Sequence, residues 1–479
     1  MSAAAKALAF RRLTRRALSI SAIKASDKAM QFLLPVVLTR CLDTATFGEY
    51  RLLWLLVGSV MAVATLNMHG GLNYFLPRSE APRRRLYVHQ TMLFLGVSGV
   101  LCAALVGPWN PFLPQAMEPL AKYGTLVPSF VALWVTVSLL DSLPTIDERV
   151  RWQAYATVGA SLLRVALVAA AAWASGAFEV IMVLLIAVAL IKLALLLAYV
   201  RRYHGLGSPW FEGRAFVDQV RHVGPFGLAG TLYNLRAQAD QWVAAALFSL
   251  SSFAAFSIAA VLSPLIFIFR RSMIDAFLPN MSRLEAGGDM AGMMQLNSRG
   301  NVLVGAVLYP LLAFVFAFAE EIVTVVYTAA YVEAAGAMRV YLVGTAIMVL
   351  EVGSVLFLLR QGKLALGVNA AALALSVVVS WAGASWVGLA GAAAGSVAAI
   401  CLDRTLMLRR ISTQVAIPLS RLQDWRGLAL ALGYAVASAA LIRAAIDLAG
   451  VEAPLARVAL GACGLVAAYV PILWRWRKQ

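Results

Sequence analysis

From near residue 18 to the C-terminus the chain alternates apolar stretches of about 20 residues with short polar breaks, most of them basic. A helix of about 20 apolar residues spans the hydrocarbon core of a bilayer, so each stretch predicts a transmembrane helix. Fourteen are predicted, over 18–39, 52–76, 88–107, 123–143, 153–174, 179–200, 226–248, 254–275, 302–322, 337–359, 364–382, 387–407, 428–448 and 455–474. No window is polar enough to enclose a soluble core. The pattern predicts an all-α polytopic membrane protein.

The polar breaks also carry an internal order. TFGEYRLL (46–53) is followed by an apolar span and then NYFLPR (73–78), which enters a basic loop. SFAAFSIA (252–259) is likewise followed by an apolar span and then DAFLPN (275–280), entering another. Six spans separate the copies, so both have the same orientation, as in transporters built from parallel repeats around a site near the midplane. The predicted organisation is a basic lead-in (1–17), an N-lobe of six spans (18–200) and a linker (201–225) with an amphipathic helix at FEGRAFVDQVRH. A C-lobe of six spans (226–407), a second linker (408–427), an appended helix pair (428–474) and a short tail (475–479) complete it.

Composition agrees: 62% of residues are hydrophobic and 13% charged, against about a quarter charged in soluble domains. The net charge of +17 changes the picture only through its placement. With the N-terminus inside, inward segments hold thirty Lys and Arg and outward segments six, with four more inside spans. That bias predicts a cytoplasmic N- and C-terminus by the positive-inside rule, and the basic face attracts anionic membrane lipids. Nucleic acid is not needed as a partner. The N-terminal KALAFRRLTRR is similar to a signal-peptide n-region, but Lys24, Asp27 and Lys28 interrupt what would be its apolar stretch. The terminal WRWRK reads as an interfacial anchor, and GAAAG (391–395) as a helix-packing motif.

Cys41, Cys102, Cys401 and Cys463 have no CxxC spacing and the four histidines no HExxH pattern, so neither a disulfide framework nor a zinc site is expected. No GxxxxGKS loop occurs. The longest outward loop, 108–122, is too short for a catalytic domain. The function is expected within the helical bundle.

The candidate site residues are therefore the polar groups inside the spans. In span one Lys24, Lys28, Gln31 and Pro35 fall on one stripe, with Asp27 and Thr39 at its edges. That stripe points to a hydrated interior, while Lys24 also reads as a lysine snorkelling to the interface. In span seven Arg236 and Asp240 are four apart and positioned to pair along the helix, with Asn234, Gln238 and Gln241 opposite. A charge at the bilayer centre costs about 2.5–3.5 kcal/mol even on the lenient insertion scale, so such clusters point to a structural ion pair or to substrate or ion handling. Arg164 in span five has no acid on its own helix. Lys192 lies about two turns from the basic RRYH and reads as snorkelling. Glu351 is central in span ten. Five interior cations against three carboxylates predict a cationic cavity suited to an anionic group such as phosphate. A cation-driven drug exporter suits this charge sign poorly. A membrane-embedded polysaccharide polymerase or ligase would need a large outward loop.

Several segments resemble one family in order. VVLTRCLDTATFGEYRLLWLL followed by HGGLNYFLPR resembles the opening of the polysaccharide flippases of the multidrug/oligosaccharidyl-lipid/polysaccharide exporter superfamily. ADQWVAAALFSLSSFAAFSIAAVLSPL is similar to that family's seventh helix, and FLPNMSRLEAGGD with AEEIVTVVYTAAYVEAAGAMRVYLVG to its Pro-containing exit and the helix that follows. These cover most of 30–350. The resemblance implies two six-helix lobes around a cationic cavity in the bacterial inner membrane. It implies ion-coupled, alternating-access movement of undecaprenyl-diphosphate-linked oligosaccharides for O-antigen, exopolysaccharide or capsule. A polysaccharide polymerase and chain-length or export machinery would be its partners. Lipid II flippases also have fourteen spans, but their pattern of arginines in the first two spans is missing. In this setting Lys24, Lys28, Arg164, Arg236, Gln31, Asn234 and Gln238 are the expected substrate contacts, and Asp27, Asp240 and Glu351 the ion-coupling candidates.

Overall fold

The computed structural model describes residues 29–260 and 277–476, with side chains to residue 469, and among the described residues all regular structure is helical. Lys24, Asp27 and Lys28 lie outside the described residues. Nine helices among those described are long and apolar enough to cross a membrane, with shorter apolar helices between them. The elements used below are α1 (Ala29–Cys41), α2 (Thr44–Ala64), α3 (Met68–Phe75), α4 (Ala81–Val106), α5 (Leu126–Ile146), α6 (Val150–Ala174), α7 (Phe178–Tyr203) and α8 (Gly213–Arg236). They continue with α9 (Ala239–Leu247), α10 (Leu250–Ala259), α11 (Met290–Ala317), α12 (Ala319–Val326), α13 (Ala334–Ile347), α14 (Gly353–Leu358), α15 (Gly362–Val387), α16 (Leu389–Val415), α17 (Trp425–Leu448) and α18 (Pro454–Trp476). The chain divides into two compact units, Met1–Leu235 and Arg236–Gln479.

The parallel repeat is visible in how matching helices start. Asp43 caps α2 by accepting from the backbone N–H groups of Ala45 and Thr46, each at 2.9 Å, and Ser249 caps α10 through the N–H of Ser252 at 3.2 Å. Such caps satisfy N–H groups that the helix itself leaves orphaned. Just inside each cap the aromatic pair turns inward: Phe47 and Tyr50 in the first unit, Phe253 and Phe256 in the second, all buried. The cap also explains why α2 begins at residue 44 rather than at the expected 52. Hydropathy marks where apolar residues accumulate, whereas Asp43 fixes where the backbone turns helical.

Several expected spans are interrupted, and each interruption is served by side chains. The second span splits between α2 and α3, where Leu66 and Asn67 take left-handed conformations. Hydroxyls from neighbours cover the carbonyls released there: Ser98 donates to Ala64 O at 2.7 Å and Thr231 to Ala62 O at 2.6 Å. Span ten, expected to be continuous through Glu351, breaks over 348–352 between α13 and α14. Asn297 of α11 donates to Glu351 O at 3.0 Å, and Asn301 Oδ1 accepts from Glu351 N at 3.1 Å. Gln423 joins both asparagines at 3.0 Å, completing a buried carboxamide network. Without water, backbone groups at membrane depth persist only where protein satisfies them in this way.

The amphipathic segment expected over 211–222 is not a separate surface helix. It is the first half of α8, which runs on to Arg236 and is held to α4 by Gln219, fully buried between Gln90 and Thr91 at 2.7 and 2.8 Å. The appended pair α17 and α18 is fastened to α12 by charge. Arg443 donates to Glu321 at 2.6 Å, Arg457 lies 3.2 Å from the same carboxylate, and both arginines also engage Asp447. In the first unit, Asp147 accepts from Tyr199 and His204 at 2.7 Å each, with Arg84 at 3.9 Å.

GAAAG brings α15 and α16 to backbone contact. A Cβ on Gly391 would collide with the carbonyl of Gly383, and one on Gly395 with Ser380; Ser380 meanwhile donates to Ala392 O at 2.8 Å. Gly391→Val should force the helices apart and cost about 1–3 kcal/mol, read as a lower Tm in detergent by tryptophan fluorescence; an unchanged Tm would refute the close packing. A second expectation concerns acid. Burial works to raise the Asp147 carboxyl, but hydrogen bonds from His204 and Tyr199, with the charges of His204 and Arg84, outweigh it and hold it below its ordinary value of 3.8. Its contribution is present above the unfolded-state value and lost as pH falls through the lower folded one. Asp147→Asn should therefore lower stability by about 1.5–3 kcal/mol at neutral pH, the gap to wild type closing below about pH 4. A gap that is constant from pH 7 to pH 3 would contradict it.

Candidate functional site

Among the described residues, Lys192 and Arg236 each have a carboxylate partner and Arg164 has none. Arg236 does not pair with Asp240. Residues 237–238 interrupt the helix between α8 and α9, so the expected spacing along one continuous helix is lost. Arg236 instead reaches Asp403 on α16 at 3.1 Å, where Arg404 also binds at 3.1 Å. Lys192, expected to snorkel, stays inside. Its Nζ donates to both carboxylate oxygens of Asp141 at 2.9 and 3.0 Å, with only 8% of the lysine side chain exposed. Asp141 sits where α5 tightens into a 3₁₀ turn over Ser138–Asp141, and Gln153 holds its backbone carbonyl at 3.2 Å.

Arg164, on α6, is buried at 8% exposure and has neither a hydrogen bond nor an ion pair among the described residues; its Nε is enclosed without a partner. Its surroundings are aromatic. The guanidinium carbon lies 5.2 Å from the centroid of Trp54 on α2 and 5.9 Å from that of Trp134 on α5. Those rings meet each other edge-on at 5.3 Å, and Phe130 packs against both. Cation–π attraction supplies about 0.5–2 kcal/mol per contact, well short of the several kcal/mol that desolvating a cation costs. Lys192 Nζ lies 4.7 Å from the Trp134 centroid, so two cations share one indole. The contacts around Arg164 thus offset its charge only in part.

In the second unit Asp240 is 1% exposed and ties three helices together. It accepts from Tyr341 of α13 at 2.6 Å, Ser396 of α16 at 2.5 Å and the N–H of Gln241 at 2.8 Å. All of these donors are neutral. Glu351 lies in the 348–352 break and accepts from Ser354 N at 3.0 Å. Asn234 is exposed and bonds back to Gly230 O on its own helix at 2.8 Å. Gln238 is half-buried at the start of α9, and Gln31 is exposed on α1. Within the first unit the structure brings Arg164 together with Lys192. Within the second, Arg236 and Asp240 have separate partners.

Sequence reasoning missed the acids that matter most. Asp403 lies inside the expected twelfth span and Asp141 near the end of the fourth, and neither was counted among the interior carboxylates. The signal that could have found them is the same one that singled out Asp240: an acid at or near membrane depth requires a local reason. Trp54 and Trp134 carried no such signal, because an indole in an apolar span is ordinary.

The comparisons with known proteins follow this geometry. The chain is similar in fold to the lipid II flippase MurJ in an inward closed conformation, with 11% identity and a TM-score of 0.68 over 96% of this chain and 99% of that one. It is also similar to an inward-facing multidrug resistance MATE family transporter of the MOP superfamily, with 12% identity and a TM-score of 0.63 over 81% and 95%. A Vibrio cholerae MATE transporter matches at 13% identity and a TM-score of 0.51 over 86% and 98%. These likenesses confirm the expected all-helical polytopic fold. No curated protein matches the sequence. The profile of one family, Polysaccharide biosynthesis protein, matches residues 13–285, more than half of the chain, and this multi-pass membrane protein belongs to that family.

Proposed function

We propose that the protein is a flippase for lipid-diphosphate-linked oligosaccharide repeat units, moving them from the inner to the outer leaflet of the bacterial inner membrane. Its basic loops and both termini face the cytoplasm. The observation that carries this reading is Arg164: a buried guanidinium with no carboxylate partner among the described residues, set against two indoles. A diphosphate offers two adjacent anionic groups, and a planar guanidinium accepts such oxygens in pairs. The indoles exclude water and so strengthen that attraction, and their broad faces suit the apolar side of a sugar ring. Membership of a polysaccharide biosynthesis family supports the carried group being a glycan.

Drug export of cationic compounds is the competing use of this fold, since MATE transporters share it. An uncompensated buried arginine repels such cargo, and this favours the anionic substrate. Undecaprenyl is the proposed carrier lipid, and O-antigen, exopolysaccharide or capsule repeats the proposed load. A polysaccharide polymerase and chain-length or export machinery would act on the product. Arg236, Lys24, Lys28, Gln31, Asn234 and Gln238 are further proposed contacts; among them Arg236 would have to share itself with Asp403.

Two experiments test this. Arg164→Ala should abolish surface polysaccharide in a deletion strain complemented with the variant, at unchanged membrane abundance, while Arg164→Lys, which keeps the charge without the planar fork, should retain about a tenth of the activity. Loss of abundance in both would make Arg164 a folding residue and end the reading. For coupling, Asp240→Asn preserves an acceptor for Tyr341 and Ser396 and should leave folding intact. In proteoliposomes it should make transport insensitive to an imposed H+ or Na+ gradient. Transport by Asp240→Asn that still follows the gradient would remove Asp240 from the coupling role and leave Glu351 and Asp27.

A further inference from the structure

We propose that Asp141 is a built-in counter-anion of the N-terminal unit, and that Lys192 is a second diphosphate contact which exchanges Asp141 for the substrate. This rests on the reading of Arg164 as the diphosphate site. The argument begins with the shared ring. Arg164 and Lys192 lie 5.9 and 4.7 Å from the centroid of the same indole, Trp134, so an anion drawn to one enters the field of the other. With Lys192 neutralised by Asp141, the unit carries one uncompensated cation here rather than two. Two uncompensated buried cations against one ring would repel and add a second desolvation penalty.

The exchange follows from an asymmetry of exposure. Lys192 keeps 8% of its side chain exposed, Asp141 49%. A half-exposed carboxylate has room to turn away from its partner, whereas a buried ammonium that loses its partner needs another anion at once. Asp141 is thus the mobile member of the pair and Lys192 the fixed one. The backbone under Asp141 does not have to move, because its carbonyl is held by Gln153. His69 of α3, whose Nδ1 is buried without a hydrogen-bond partner, feels the charge of Asp141 as well. An incoming diphosphate therefore takes Lys192 from Asp141, and Asp141 takes it back when the diphosphate leaves. The carboxylate competes with the substrate, keeps affinity moderate and speeds release, as a flippase that must let go on the far side requires.

The test uses the full chain in nanodiscs with inorganic pyrophosphate as probe, by isothermal titration calorimetry. Asp141→Asn should bind pyrophosphate about tenfold more tightly than wild type, because a competing charge is removed at short range. The same variant should flip a polyprenyl-diphosphate substrate more slowly, with release limiting. The double variant Asp141→Asn/Lys192→Gln removes both members of the ion pair, so neither is stranded, and it serves even if the single variant folds poorly. It should bind at least threefold more weakly than wild type, having lost the lysine contact. Unchanged affinity in Asp141→Asn, or wild-type affinity in the double variant, overturns the exchange while leaving Arg164 in place, provided Arg164→Ala abolishes binding. No pyrophosphate binding by the wild type overturns both. Farnesyl diphosphate serves as a second probe: tighter binding than pyrophosphate, with the same response to Asp141→Asn, assigns the diphosphate to a lipid, whereas binding of pyrophosphate alone sinks the carrier role.

Discussion

A charge inside a bilayer has to be neutralised within a few ångströms or left for a ligand to neutralise, and much of this structure follows from that constraint. Lys192 has Asp141, Arg236 and Arg404 have Asp403, and Arg443 and Arg457 share Glu321 and Asp447. Each of these arrangements joins different helices or fastens one to its neighbours, so the charges also organise the packing. Arg164 stands outside this scheme. Two indoles lower its cost without cancelling its charge, and that difference between partial and complete compensation turns a structural cation into a candidate binding group.

The same constraint acts on the backbone. A helix satisfies its own amides only while it continues, so a break at membrane depth calls for donors and acceptors from elsewhere. Ser98 and Thr231 provide hydroxyls at the end of α2, and Asn297, Asn301 and Gln423 provide carboxamides around 348–352. These side chains read as scattered polar residues in apolar sequence, yet their positions coincide with the interruptions. The breaks also place chemistry: Asp240 follows the interruption at 237–238, and Glu351 lies within the one at 348–352.

How much of this could be read in advance depended on the range of the interaction. Hydropathy is local and cumulative, and it placed α4, α6, α7 and α15 to within about two turns of their ends. The repeat was legible because Phe47 and Tyr50 recur as Phe253 and Phe256, each pair just inside a cap. GAAAG announced the close approach of α15 and α16 since only small side chains permit it. Pairings were not legible. The four-residue spacing of Arg236 and Asp240 is a true helical spacing, but it holds only on an unbroken helix, and nothing local marks AQ at 237–238 as a break. Asp403 is 167 residues from Arg236 and Asp141 is 51 from Lys192; such contacts are products of the packing. Arg164 was recognisable as anomalous from its own helix, and its aromatic setting only from three.

This difference bears on how the site should be understood. Counting interior charges along the chain suggested a broad cationic cavity with many equivalent basic contacts. Pairing removes most of that excess, because Asp141 and Asp403 answer the cations that made it large. A diffuse positive field would attract any anion, lipid headgroups included, with little orientation. One guanidinium under two indoles, beside a lysine already holding a carboxylate, offers an anion a definite place and a definite competitor. On the proposed reading, selectivity and release would reside in the same few side chains, because the charge proposed to draw the substrate in and the one proposed to help it leave lie on helices packed around a single indole.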